Sequence, residues 1–252
     1  MASRCALPAD EAHHALHVLR LKQGARIQLT DGNGTIASAI LQPESRKSAS
    51  ADIIKRQTLP PRQPRISVYM GMLKTRQRLE NALEKLTEIG VNDIILMDTE
   101  RTERQKFRMD RARGVVVSAV KQSQSAWMPA LHHLSLEAAL HRAAPQPERH
   151  DILLAAHEKK QIALEDDIRL EGRTFSEIRD GLQPYFETEG SSDAAKKPLV
   201  LHIFIGPEGG FSSGEVGQML RLAHARPLWL GDVRLRAETA AMQTAGLFRF
   251  GL

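Results

Sequence analysis

The sequence predicts an α/β fold with a mostly parallel sheet, preceded by a smaller β-rich unit. From Arg65 onward, apolar segments of strand length alternate with amphipathic segments of helix length, which is the pattern of strand-helix-strand crossovers. Residues 1–57 carry instead a short helix and two strands with period-two alternation. The proline-rich segment 59–64 cannot continue a helix or a central strand, so two domains are predicted, over residues 1–57 and 65–252.

The first region begins with a helix and continues as a hairpin. A helix is predicted over 11–19, with Leu16 and Leu19 on its buried face. Alternating residues over 26–30, a turn of sequence Asp-Gly-Asn-Gly and a second strand over 35–41 indicate a β-hairpin.

The second region alternates strand with helix. Strands are predicted over 66–70, 94–97, 152–156, 199–205 and 228–230, and helices over 75–89, 110–124, 136–140, 213–224 and 237–248, with a brief helix after Thr174. The β-branched run 115–117 also fits a strand. The polar segment 187–198 is predicted to be mobile. Parallel sheets of this kind bind ligands at the carboxyl ends of their strands.

A glycine-rich turn over 206–210 follows the apolar strand 199–205. Ser212 and Glu215 form a capping box, so a helix begins directly after the turn. A strand followed by a glycine turn and a helix start directs backbone N–H groups towards the end of the sheet, where they can bind a ligand. The turn matches neither the dinucleotide nor the triphosphate glycine pattern. Because Glu208 would repel a phosphate, a neutral or partly cationic ligand is expected.

The segment 230–240 repeats this arrangement of strand end, glycine and helix start. Two such loops at neighbouring strand ends are expected to converge on one pocket. Simpler interpretations exist for each polar residue: Glu238 favours the helix dipole, Arg236 lies on the surface, and Glu208 caps N–H groups of its own loop.

The amino-acid composition indicates which kind of binding partner and which cellular compartment to expect. The chain has 35 Lys and Arg against 30 Asp and Glu, a formal net charge of +5. This balance favours a nucleic acid as partner, while a solvated basic surface is the simpler interpretation. Cys5 is the only cysteine, and no apolar run could span a bilayer, so a cytoplasmic protein without a membrane partner is expected. His14 and His17 lack further ligands nearby, so we expect no metal.

Five motifs together resemble the RsmE family of small-subunit ribosomal RNA methyltransferases. They are Leu-Lys-x3-Arg-x5-Glu-Lys-x2-Glu-Ile-Gly-Val at 73–91, Thr-Glu-Arg-Thr at 99–102, Lys-Gln-Ser-x5-Pro at 121–129, Ile-Gly-Pro-Glu-Gly-Gly-Phe-Ser at 205–212 and Leu-Gly-x3-Leu-Arg-x-Glu-Thr-Ala at 230–240. The segment 7–24 is similar to that family's PUA-like RNA-binding domain.

The resemblance implies S-adenosylmethionine-dependent methylation of N3 of a uridine in 16S ribosomal RNA. It also implies a SPOUT domain with a C-terminal trefoil knot, and a homodimer. The donor site would comprise Leu154, Ala155, Gly206, Glu208, Gly209, Gly210, Leu230, Gly231, Leu235 and Arg236. Arg236 is the candidate for stabilising negative charge on the base, and Glu238 a candidate proton acceptor. The phosphate contacts would be Arg4, Arg20, Lys22 and Arg26.

Two other functions remain compatible with the sequence. One is a non-catalytic RNA-binding or ribosome-assembly factor with a vestigial pocket, which would bind RNA but no S-adenosylmethionine. The other is an unrelated nucleotide-binding α/β enzyme, which would bind a nucleotide instead.

Overall fold

The computed structural model describes residues 3–103, 107–164, 169–185 and 197–252. It divides into two compact units, one formed by Met1–Pro61 with Gln124–Trp127 and the other by Arg62–Ser123 with Met128–Leu252. The segment 187–198, predicted to be mobile, lies outside the described residues except for its last two.

The first unit contains a four-stranded antiparallel sheet. Its strands are β1 (Arg4–Ala6), β2 (Arg26–Thr30), β3 (Thr35–Pro43) and β4 (Ala49–Thr58), in the order β1-β4-β3-β2. The hairpin of β2 and β3 is confirmed. No sequence pattern predicted β4, because its second half is exposed on both faces and shows no alternation. The N–H of Gly34, beside the hairpin turn, donates to the carbonyl of Ala126 at 2.9 Å, which ties Gln124–Trp127 to this unit.

The helix of the first unit is irregular. Helix α1 (Ala9–His13) continues as a π-helical turn over His14–Val18, in which the N–H of Leu19 donates to His14 at 2.9 Å. The wider turn shifts the following residues around the helix axis. Leu19 is therefore 55% exposed, and the expectation that it shares a buried face with Leu16 is wrong.

The second unit is built on a six-stranded sheet in which every neighbouring pair is parallel. Its strands are β5 (Arg65–Gly71), β6 (Asp93–Asp98), β7 (Ala130–Ser135), β8 (His150–His157), β11 (Leu199–Ile205) and β12 (Ala225–Trp229), in the order β12-β8-β11-β5-β6-β7. A separate antiparallel pair is formed by β9 (Gln161–Ala163) and β10 (Arg169–Glu171). The predicted α/β fold with a parallel sheet is confirmed.

Helices cover both faces of this sheet. They are α2 (Arg76–Ile89), α3 (Met109–Gln122), α4 (Leu136–Arg142), α5 (Phe175–Leu182), α6 (Ser213–Leu220) and α7 (Ala237–Phe250). Alternate strand residues enter two separate cores: Val68 and Met70 pack with α2 and α7, whereas Tyr69 packs with α4 and α6. The central strands are buried on both faces, which explains their continuous apolar sequences.

Three sequence-based assignments in the second unit need correction. Residues 115–117 lie within α3 with Val116 buried, so the strand alternative is wrong. Helix α6 ends at Leu220 instead of 224. Strand β12 begins at Ala225 instead of 228, because it is an edge strand, where Pro227 is tolerated although it has no N–H to donate.

Within the described part of the chain, no helix combines the length and the apolar character needed to cross a membrane.

Candidate functional site

A pocket of about 450 Å³ lies in the second unit at the carboxyl ends of β8, β11 and β12. Both glycine loops line it, through residues 205–211, 230–231 and 233–237, together with residues 156–158 at the end of β8. Its volume is within the range of small-molecule sites. The expected convergence of the two glycine loops on one pocket is what the structure shows.

The first loop turns sharply because Gly206 has no side chain. A Cβ at this position would lie 2.9 Å from the carbonyl carbon of Gly210 and from the nitrogen of Phe211. The N–H of Gly210 donates to the carbonyl of Pro207 at 2.8 Å and closes the turn. Helix α6 then begins with the predicted capping box of Ser212 and Glu215. The turn is therefore fixed at both ends.

The second loop leads from β12 into α7. Gly231 has a φ of 109°, in the left-handed region that favours glycine. Arg236 precedes the helix in an extended conformation, and its side chain is exposed and lines the pocket. The next two residues, Ala237 and Glu238, are buried.

Arg78 of α2 connects the two loops. Its Nη1 donates to Glu208 Oε1 at 2.7 Å, and its Nε and Nη2 donate to the two carboxylate oxygens of Glu238 at 2.8 and 2.5 Å. Glu208 Oε1 also accepts the backbone N–H of Lys74 at 3.0 Å. The carboxylate of Glu208 therefore reaches across to α2 instead of capping its own loop.

The arginine fixes the charge state of Glu238. Burial would raise the pKa of this carboxyl, but hydrogen bonds from Arg78 and from its own backbone, with the charges of Arg78 and Arg236, lower it below its ordinary value. The same hydrogen bond to Glu238 raises the pKa of Arg78. The three side chains together carry one positive and two negative charges, a net charge of about −1 at neutral pH.

Further cations stand around the pocket. Arg101 donates from Nη1 to the carbonyl of Gly209 at 2.8 Å, with its aliphatic part against the same glycine. Arg234 pairs with Glu158 at 3.2 Å, and both are exposed. Because these guanidinium groups lie on the exposed rim, an anionic partner would meet them first.

The expected donor-site residues divide into two groups. Those of the glycine loops line the pocket: Gly206, Glu208, Gly209, Gly210, Leu230, Gly231, Leu235 and Arg236. Leu154 and Ala155 are buried within β8, and the wall on that side is formed by the following residues, 156–158. Glu238 is buried behind Arg78, which itself lines the pocket.

Among the lining residues that the sequence did not assign to the site, Arg78 and Arg101 come from segments outside the two glycine loops and the end of β8. Arg78 belongs to the motif at 73–91 and Arg101 to the motif at 99–102, so membership of these motifs was the available signal. Neither residue lies in a glycine turn. Only the tertiary structure shows that the start of α2, with Arg78, and the loop after β6, with Arg101, reach the pocket.

The four expected RNA contacts are all exposed in the first unit. Arg4 pairs with Asp52 at 2.7 Å, whereas Arg20 adopts a φ of 53° next to the π-helical turn.

His17, one of the two histidines considered as metal ligands, contacts the carbonyl of Arg46 at 2.6 Å. No group of three or more His, Cys, Asp or Glu side chains that could hold a metal is found among residues 3–103, 107–164, 169–185 and 197–252.

Known proteins resemble the chain over nearly its whole length. A model of the RNA methyltransferase domain matches residues 61–249, and a model of the RNA methyltransferase PUA domain matches residues 7–54. A Mycobacterium bovis protein named ribosomal RNA small subunit methyltransferase E is 27% identical over 244 residues, covering 94% of this chain and 82% of that protein.

Two crystal structures share the architecture. The probable rRNA-methyltransferase from Porphyromonas gingivalis is 30% identical with a TM-score of 0.72, covering 98% of this chain and 92% of that one. A ribosomal RNA small subunit methyltransferase E from Neisseria gonorrhoeae, bound to S-adenosyl methionine, is 23% identical with a TM-score of 0.75 and the same coverage. The second likeness shows a common fold.

Proposed function

The chain belongs to the RsmE family of RNA methyltransferases, and on that premise we propose that it methylates N3 of a uridine in 16S ribosomal RNA with S-adenosylmethionine as donor. One observation carries the proposal: the two glycine loops of the matched domain, separated in the chain by α6 and β12, line one pocket of about 450 Å³. The substrate and the methyl donor follow from the family, and the pocket supplies a site of suitable size and charge.

The pocket's chemistry fits the donor. Gly206 leaves no side chain in the turn, so backbone can approach a ligand closely. Beside the first turn, Arg78, Glu208 and Glu238 together carry a net negative charge that suits a cationic ligand group, whereas Arg101, Arg234 and Arg236 make the exposed rim positive. We propose that the two glycine loops, with residues 156–158, hold the donor, which supplies an electrophilic methyl group when bound.

Arg236 is the proposed catalytic residue. Uridine N3 carries a proton and becomes nucleophilic only as that proton leaves, so a base with developing negative charge needs a nearby cation. The exposed guanidinium of Arg236 lines the pocket and can supply it. The pocket's loops would orient the base, and orientation contributes several kcal/mol to such a step, on the order of 7 or more in favourable cases.

Glu238 was expected to accept the proton. Its two carboxylate oxygens already accept hydrogen bonds from Arg78, and its pKa is lowered. A carboxylate with a lowered pKa is a weaker base, so this geometry favours a role in holding the pocket together. We therefore propose that Glu238 anchors the second loop, and that uridine N3 loses its proton to bulk solvent before the methyl transfer, with Arg236 stabilising the anion.

The first unit is proposed to bind the RNA backbone. Arg4, Arg20, Lys22 and Arg26 would contact phosphates and so position the substrate without reading its sequence. We further propose, from the family resemblance, that residues 65–252 form a SPOUT domain with a C-terminal trefoil knot and that the protein acts as a cytoplasmic homodimer.

Calorimetry with S-adenosylmethionine, run beside a binding assay with 16S ribosomal RNA, tests the proposal. We expect the protein to bind both ligands. Binding of RNA without binding of the donor would contradict it and would support a non-catalytic ribosome-assembly factor. Binding of another nucleotide in place of the donor would also contradict it.

A further inference from the structure

Arg78 is the one side chain described at this site that bonds to both glycine loops. Glu208 lies in the turn after β11, and Glu238 lies in the first turn of α7, with the whole of α6 and β12 between them in the chain. We propose that Arg78 is a positioning residue that sets the separation of the two loops and thereby the affinity for the methyl donor. This inference rests on the proposed function.

Burial makes this contact more than a surface ion pair. The side chains of Arg78, Glu208 and Glu238 are 23%, 30% and 8% exposed. Exposed pairs are screened by water and contribute little, whereas a half-buried, hydrogen-bonded pair keeps a defined geometry. Two residues later in α2, Glu80 pairs with Arg111 of α3. The side chain of Arg111 is 52% exposed, and this pair does not line the pocket.

The geometry requires an arginine. Three different nitrogens of the guanidinium are used, Nη1 for Glu208 and Nε with Nη2 for Glu238, in the planar fork that matches a carboxylate. A lysine ammonium keeps the charge but cannot reproduce the paired bonds to Glu238 while it also reaches Glu208. Replacement by lysine therefore separates the effect of geometry from the effect of charge.

The bridge also bears on the catalytic loop. Arg236 stands two residues before Glu238, directly before α7 begins. The segment from Leu230 to Arg236 contains a glycine with positive φ and is largely exposed. The pair of Arg234 with Glu158 inside it is exposed and contributes little, so the anchoring of the segment depends mainly on its two ends. Through Glu238, Arg78 fixes the end that carries Arg236.

The test compares Arg78→Lys, Glu208→Gln and the control Arg111→Lys with the wild-type protein. The measurements are the Kd for S-adenosylmethionine by calorimetry, the KM for the donor, the KM for 16S ribosomal RNA and the melting temperature. We expect Arg78→Lys to raise the donor Kd and KM by about tenfold or more. Glu208→Gln, which breaks one side of the bridge, should raise them less. The KM for RNA should stay near wild type in all three, the melting temperature should fall by only about a few degrees in Arg78→Lys and Glu208→Gln, and Arg111→Lys should leave every parameter unchanged.

Each other outcome overturns the inference. Unchanged donor Kd and KM in Arg78→Lys would show that the bridge does not position the loops. Equal losses in donor and RNA affinity with a lower melting temperature would show a general structural role and would overturn the inference. If Arg78→Lys does not fold, the donor Kd of folded Glu208→Gln decides, and a wild-type value there overturns the inference. A wild-type protein that binds no donor would instead refute the proposed function, and the inference with it.

Discussion

The buried carboxylate of Glu215 accepts the backbone N–H of Glu100 at 2.7 Å. Its other oxygen accepts the N–H of Ser212 at 2.8 Å, as the capping box requires. One side chain therefore caps α6 and also holds the loop after β6, which carries Arg101 to the pocket. The sequence showed the first of these roles, and only the structure shows the second.

Glu215→Ala should destabilise the protein by about 2–3 kcal/mol, because it removes a cap and leaves two N–H groups without their charged acceptor. The matched control is Glu177→Ala, which breaks the exposed capping box at the start of α5 and should cost about 1 kcal/mol or less. Urea unfolding measures both. Equal losses in the two variants would mean that the contact with Glu100 adds no stability.

Gly206→Ala should abolish donor binding. The added Cβ meets main-chain atoms of Gly210 and Phe211, which cannot move aside as a flexible side chain would, so the turn must change. The control is Gly217→Ala inside α6, where a Cβ meets nothing within 4 Å and where alanine should stabilise the helix by up to about 1 kcal/mol. Calorimetry with S-adenosylmethionine checks the first variant, and wild-type affinity there would contradict the proposed pocket.

Replacing Arg20, Lys22 and Arg26 together by alanine should weaken RNA binding and flatten its dependence on salt. Each lost phosphate contact reduces the slope of log K against log salt by about 0.7 to 0.9, so a loss of roughly 2 is expected. Arg4→Ala alone should change the slope less, because its guanidinium is already paired with Asp52. Filter binding at several salt concentrations gives these slopes. A triple variant with the wild-type slope would remove these residues from the RNA interface.

A buried hydrogen-bonded chain crosses the sheet of the second unit away from the pocket. The hydroxyl of Tyr69 lies 3.2 Å from Nδ1 of His202, and Nε2 of His202 lies 2.7 Å from Asp151. Burial lowers the pKa of His202, although the charge of Asp151 opposes this. Burial would raise the pKa of Asp151, but hydrogen bonds from His202, Arg149 and the backbone of Gln146 lower it to about 2. The pair is therefore held as a neutral imidazole beside a carboxylate.

This pair predicts acid sensitivity. As the pH falls through the ordinary pKa of histidine, near 6.5, the unfolded chain takes up a proton that folded His202 does not, so stability is lost. His202→Gln should lower the melting temperature at pH 7 and should make it less dependent on pH between 7 and 5 than in wild type. His141→Gln, at an exposed position, should leave the pH profile unchanged. Parallel profiles for wild type and His202→Gln, measured by calorimetry, would contradict this account.

The sequence predicted the architecture where local patterns were strong. The continuous apolar strand 199–205, the hairpin of β2 and β3 and both capping boxes were found in the expected places. These features depend on neighbours in the chain, through hydrogen bonds or alternation over a few residues, so they can be read without knowing the fold.

The rest depended on contacts between distant residues. β4 has no alternation in its second half, and the edge strand β12 contains a proline, so neither had a clear local pattern. The bond of Arg78 to Glu238 joins residues 160 positions apart, and no spacing rule predicts it. The two glycine loops could be assigned to one pocket because both follow strands of one parallel sheet.

Mass spectrometry of 16S ribosomal RNA, taken from small subunits that lack the modification and incubated with the protein and isotopically labelled S-adenosylmethionine, tests the central claim most directly. We expect a single labelled uridine methylated at N3. With Arg236→Ala we expect no labelled uridine, although the donor affinity of this variant stays within a few-fold of wild type. Unlabelled RNA with the wild-type protein, or label on a ribose or on another base atom, would contradict the account.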